Sequence, residues 1–132
     1  MALTRSELRE KIMVILYQIE ILNKNKIEMD LDELIRDNIE IENEFIKDIV
    51  YGVNTHKDNI DELANKFLLN WNINRIDKTG ASILRMAIYE LKFTDTPQIV
   101  VINEAIELAK RYSDESVRKI INAVLDRMIN SE

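Results

Sequence analysis

Arg5 and Arg9 stand four residues apart near the start of the chain, and Lys110, Arg111, Arg118 and Lys119 crowd a short stretch towards its end. On a helix, the i, i+4 spacing puts Arg5 and Arg9 on one face, where two guanidinium forks can meet phosphates. The bland alternative for all six cations is a solvated helix face. Other chemistry is hard to assemble. His56 is the sole histidine; without partners it makes no metal site and reads as a structural residue. Cysteine is absent, which excludes thiolate metal sites and disulfide frameworks. Glu40, Glu42, Glu44 and Asp48 fall on an outer helix face, where charge is ordinary. Asn103-Glu104 near a helix start suggests acid–base work, but carboxylates there more often answer the helix dipole. Gly52 and Gly80 are the two glycines, too few for a phosphate-cradling loop, and no Ser-His-Asp or Lys-centred arrangement can be built. The expectation is a protein that is not an enzyme, with no catalytic residues, no metal and no cofactor.

The elements that must position these cations are helices. At 132 residues with 46% apolar content, the chain has the makings of one domain, 1–132, with a single core. Two glycines, one proline and few aromatics disfavour a sandwich, which needs frequent turn signals. No apolar run reaches the ~18 residues of a membrane span, and the opening Met1-Ala2-Leu3-Thr4-Arg5 is not a signal peptide. The expectation is a cytoplasmic protein with no membrane contact. A net charge of −6 argues by itself against a general nucleic-acid binder, but its distribution is uneven. Residues 28–62 carry twelve acids against three bases, while 1–27 hold five bases against three acids and 63–132 hold ten against nine. Both ends are free to present basic surface.

Thr4-Arg5-Ser6-Glu7 is a capping box, and Leu8, Ile12, Ile15, Leu16, Ile19 and Leu22 follow at the helical period, with Arg5, Arg9 and Glu20 off that stripe. A short helix from Asp30 turns Leu31, Leu34 and Ile35 inward. Phe45, Ile49, Val53, Ile60, Leu63 and Phe67 keep one phase from Glu42 onwards. They predict one long helix of about 40 Å at 1.5 Å per residue, interrupted at most near Thr55–Asp58. Gly52 within it suggests a close helix crossing. Asn74-Arg75-Ile76-Asp77 opens a helix that carries Ile83, Leu84, Ala87, Ile88 and Leu91, and Trp71 and Tyr89 are expected to be largely buried. Thr94-Asp95-Thr96-Pro97 is a loop. Ile99–Lys110 reads as a helix, since Ile99–Ile102 has no strand to pair with, and Ser113-Asp114 caps a last helix running through Val117, Ile120, Ile121, Val124, Leu125 and Met128. The fold class is all-α, a compact bundle of six or seven helices.

Four segments together resemble the NusB family over nearly the whole chain. They are Arg5…Arg9-Glu10…Leu16-Tyr17; Phe45…Gly52-Val53…Ile60-Asp61; Leu84-Arg85-Met86-Ala87-Ile88-Tyr89-Glu90-Leu91; and Val101-Ile102-Asn103-Glu104-Ala105-Ile106-Glu107-Leu108-Ala109-Lys110 with Lys119…Asn122…Val124-Leu125-Asp126. The resemblance implies a two-lobed fold of two three-helix bundles. It also implies a function: with NusE, the small-subunit ribosomal protein that doubles as an elongation factor, such proteins bind boxA-type single-stranded RNA. Through other Nus factors the complex joins RNA polymerase and suppresses premature termination, notably on ribosomal RNA operons. In the family fold the turn carrying Lys110, Arg111, Arg118 and Lys119 comes within reach of the first helix, so that these cations and Arg5 and Arg9 form one RNA-binding patch.

The chain departs from the family pattern in three places. Ser6 and Glu7 interrupt the opening arginine cluster, and Ile120-Ile121-Asn122-Ala123 stands where the family usually has Phe-Val-Asn-Gly. Gly80-Ala81 replaces a common charged pair at a region, with Asp77, expected to meet the protein partner. These changes imply weaker RNA binding alone and greater reliance on NusE. Two other readings stand beside this one. One is a helical protein-interaction module docking through the acidic segment 28–62; the other is a regulatory domain associated with a ribosomal RNA methyltransferase.

Overall fold

The computed structural model describes residues 3–131, folded into seven α-helices and one 3₁₀ turn with no strand among them. Helix α1 spans Arg5–Lys24, α2 Leu31–Asn38, α3 Glu44–Thr55, α4 Lys57–Phe67, α5 Lys78–Phe93, α6 Gln98–Tyr112 and α7 Glu115–Asn130; the 3₁₀ turn is Ile73–Arg75. No helix among the described residues is long and apolar enough to cross a membrane. Helices α1–α3 pack as one lobe and α4, α6 and α7 as the other, with α5 packed into both. Every residue from Gly80 to Glu90 is buried.

Local chemistry sets the helix ends. The capping box at α1 is formed: Thr4 Oγ1 accepts from the Glu7 N–H at 3.1 Å while Glu7 Oε1 accepts from the Thr4 N–H at 2.9 Å. The same helix ends on Lys26 in the left-handed region, φ 56°, which lets the Ile27 N–H reach back to Leu22 O at 2.9 Å. Asp30, Asn43 and Asp114 cap α2, α3 and α7 through their side chains.

Three expectations are corrected. The long helix from Glu42 is two helices joined at His56, whose backbone leaves helical geometry at φ −102°, ψ 18°. Its ring stacks on Phe93 with centroids 4.3 Å apart, so the joint is fixed by packing against α5. The helix expected from Asn74 starts four residues later. Asp77 accepts from the Thr79 and Gly80 N–H groups, which makes it the cap of α5, and Asn72 takes the Asn74 N–H in a separate turn. Trp71 is 52% exposed. Leu69 adopts φ 56°, and this reversal turns Leu68 into the core and the indole out to solvent. Tyr89 is buried as expected.

Gly52 does mark a close crossing. A methyl group on its Cα would overlap the Tyr89 ring, and that ring is held by its hydroxyl, which donates to Asp48 at 3.1 Å, and by stacking on Phe93. The ring cannot swing away without giving up both. Gly52→Ala should therefore destabilise the fold by about 1–3 kcal/mol, although alanine is the better helix former by about 1 kcal/mol. A urea midpoint equal to or above that of the parent chain would show that α3 can slide off α5 at no cost.

Candidate nucleic-acid interface

The basic stretch near the end of the sequence comes against the first helix through Arg111. The C-terminus of α6 lies beside α1. Arg111 Nη1 donates to Glu10 Oε2 at 3.2 Å and the Tyr112 hydroxyl donates to the same carboxylate, which raises the Tyr112 pKa above its ordinary value. Further along α6, Glu104 Oε1 accepts from Ser6 Oγ at 2.6 Å. Glu10 stands five residues from Arg5, about 7.5 Å along the α1 axis at 1.5 Å per residue, so Arg111 reaches α1 about a turn and a half from Arg5. The connection from α6 to α7 is fixed from the other side by Ser113, which donates to Asp77 at 2.7 Å, and Arg118 and Lys119 follow near the start of α7.

Each of these cations has a carboxylate neighbour, and each pairing is open to solvent. Lys110 lies 4.0 Å from Glu107, Arg118 lies 3.7 Å and Lys119 3.4 Å from Glu115. Exposed pairs of this kind contribute about 0–1 kcal/mol, so a phosphate can take the place of the carboxylate at little cost. Arg5 is exposed as well, its guanidinium resting 4.1 Å from the centroid of the Phe45 ring.

Arg9 is different. It is 3% exposed, and its guanidinium makes a bidentate pair with Glu90, Nε to Oε2 at 2.9 Å and Nη2 to Oε1 at 2.8 Å. Burial works against its charge, but the hydrogen bond and charge of Glu90, with Glu104 3.9 Å away, outweigh burial and raise its pKa. The expectation that Arg9 shares a solvent face with Arg5 is corrected: it locks α1 to α5 and has no free fork for a phosphate. Of the three residues expected to meet the protein partner, two lie inside the fold and one on its surface. Gly80 and Ala81 are buried, Gly80 so tightly that a Cβ would overlap Val117. Asp77 is exposed, but its carboxylate is already committed to the α5 cap and to Ser113.

A second, part-buried pair is one that residue types and spacing did not reveal. Arg85 donates to Asp61 from Nε at 2.7 Å and Nη2 at 3.1 Å, with Glu20 3.3 Å from its Nη1. The signal was present: Arg85 and Glu90 both lie in the most apolar stretch of α5, between Ile83 and Leu91. Glu104 neither caps its helix nor sits free for acid–base work, being held by Ser6 and near Arg9. Among the described residues no cluster of three or more acids and histidines is placed to hold a metal ion.

The sequence profile of the NusB family matches residues 6–130. The chain is 44% identical over 123 residues to the transcription antitermination protein NusB of Listeria innocua, with 92% of each chain covered. It is similar to the solved structure of T. maritima NusB, with a TM-score of 0.85 and 31% identity over 100% of this chain and 94% of that one. A chain in the crystal structure of the antitermination factors NusB and NusE in complex with dsRNA matches with a TM-score of 0.82 and 25% identity, 97% of each chain being covered.

Proposed function

Because the chain belongs to the NusB family, we propose that it is a transcription antitermination factor that binds boxA-type single-stranded RNA together with NusE, notably on ribosomal RNA operons. RNA polymerase and the other Nus factors are reached through that complex. The observation that supports the RNA contact is the approach of Arg111 to α1 through Glu10, with Lys110 next to it in sequence and Arg118 and Lys119 just across the α6–α7 turn. In a protein with six more acids than bases, this end of α6 and the start of α7 carry four cations, one of which reaches α1. Single-stranded RNA is met by such cations through its phosphates. Arg5, Lys110, Arg111, Arg118 and Lys119 are the phosphate contacts; Arg9 supports them by holding α1 on α5.

The test is a combined reversal, Lys110→Glu, Arg111→Glu and Lys119→Glu, titrated with boxA-type RNA in the presence of NusE. The three side chains are exposed, so helicity and NusE binding should be unchanged. RNA affinity should fall by roughly tenfold or more, and the dependence of log K on log salt should flatten by about 0.7 for each phosphate that is no longer neutralised. An isotherm and a salt slope like those of the parent chain would remove these residues from the RNA interface.

A further inference from the structure

The loop 68–72 and helix α7 enclose an open cleft of about 270 Å³. Its floor is aliphatic, from Leu68, Ile120 and Val124, and its outer wall is the half-exposed indole of Trp71. Lys119 and Arg127 stand at its rim and no acid lines it. That composition is unusual in a chain with 24 acids against 18 bases. Lys119, Ala123 and Arg127 follow at i, i+4 and i+8, so one face of α7 presents both cations with the aliphatic floor beneath them. Arg127 is held in place by a single bond, Nη1 to Phe67 O at 2.7 Å, and among the described residues no carboxylate pairs with it. Lys119 has only its solvent-exposed pairing with Glu115.

We infer that this cleft takes one unpaired RNA base stacked on the Trp71 indole, with the flanking phosphates on Lys119 and Arg127. A flat aromatic wall over an apolar floor suits the π-face of a base, and cations at the rim suit the backbone on either side of it. Lys119 belongs both to this cleft and to the basic corner at the α6–α7 turn, so a strand crossing that corner continues into the cleft. An apolar peptide would fill the floor, but it would make no use of the two rim cations. The inference rests on the RNA-binding reading above and extends it to a base-recognising subsite.

Trp71 is the single tryptophan of the chain, so incorporation of 5-fluorotryptophan places one ¹⁹F probe in the cleft. The probe RNA is a boxA-type single strand of about a dozen nucleotides, added to the full chain alone and to its complex with NusE. The ¹⁹F signal should shift with RNA, saturating at the same concentration as binding measured by anisotropy. Trp71→Ala should weaken RNA binding by about 5- to 150-fold, the range for loss of one base–aromatic stack, with unchanged thermal stability because the side chain is half-exposed. Trp71→Phe should restore most of the affinity. Normal RNA binding by Trp71→Ala, with no ¹⁹F shift in the parent chain, would overturn the cleft and leave the phosphate corner standing. Absence of RNA binding by the parent chain, alone and with NusE, would overturn both. A ¹⁹F shift on adding NusE without RNA, together with weaker NusE binding by Trp71→Ala, would assign the cleft to the protein partner and overturn the inference.

Discussion

Arg9→Ala should lower the unfolding free energy by about 3–5 kcal/mol, the usual penalty when one member of a buried ion pair is removed. The magnitude follows from what is left behind. Glu90 is 1% exposed, and without the guanidinium its carboxylate would keep only the Thr96 hydroxyl, 3.5 Å away. Against a typical total stability of about 5–15 kcal/mol, that penalty leaves much of the chain unfolded in mild urea. The double variant Arg9→Met, Glu90→Leu should recover a large part of it, because an uncharged pair leaves no unpaired charge in the core. If Arg9→Ala behaved like removal of a surface pair, within about 1 kcal/mol, the α1–α5 pairing would have to be open to water. The result also bears on function: any drop in RNA affinity on removing Arg9 would come through unfolding, which the salt slope separates from phosphate contact.

Ile88→Ala should cost about 2–5 kcal/mol. Ile88 is wholly buried at the middle of α5, where the other helices press from several sides and cannot all move in to close a cavity. Ile99 is the control. It is 69% exposed at the start of α6, and Ile99→Ala should fall within about 0.5 kcal/mol of the parent chain. Equal midpoints in chemical denaturation for the two variants would mean that α5 does not sit at the centre of the core.

The periodicity of apolar residues made six of the seven helices legible, and the capping box and the loop at Pro97 fell where local chemistry put them. What the sequence concealed has one cause. Periodicity assigns each residue inward or outward by its type, but the buried face of a helix is set by angle. Arg9 precedes Ile12, Met13 and Leu16 at the i+3, i+4 and i+7 positions, and these are buried along with it. Its partner Glu90 is 81 residues away, so nothing local announces that the charge is satisfied inside. Trp71 is the mirror case: an apolar type placed outward by a left-handed turn at Leu69 that its sequence does not signal. The same limit hid the burial of Gly80 and Ala81. The basic corner was legible as residues, but bringing it to α1 depends on tertiary contacts through Glu10 and Glu104.

Because α5 belongs to both lobes and is covered on every side from Gly80 to Glu90, neither lobe owns a complete core. Each would expose a long apolar groove if the other let go, so the lobes unfold together as one cooperative unit. The backbone amides of α5 should then exchange with solvent only when the whole molecule opens, and those of α2, where Ile35 alone is buried, should exchange by local opening. The RNA corner on α6 and α7 and the first lobe are therefore tied to a single folding equilibrium. A substitution deep in the first lobe changes how much RNA-competent protein is present without touching a single contact to the nucleic acid.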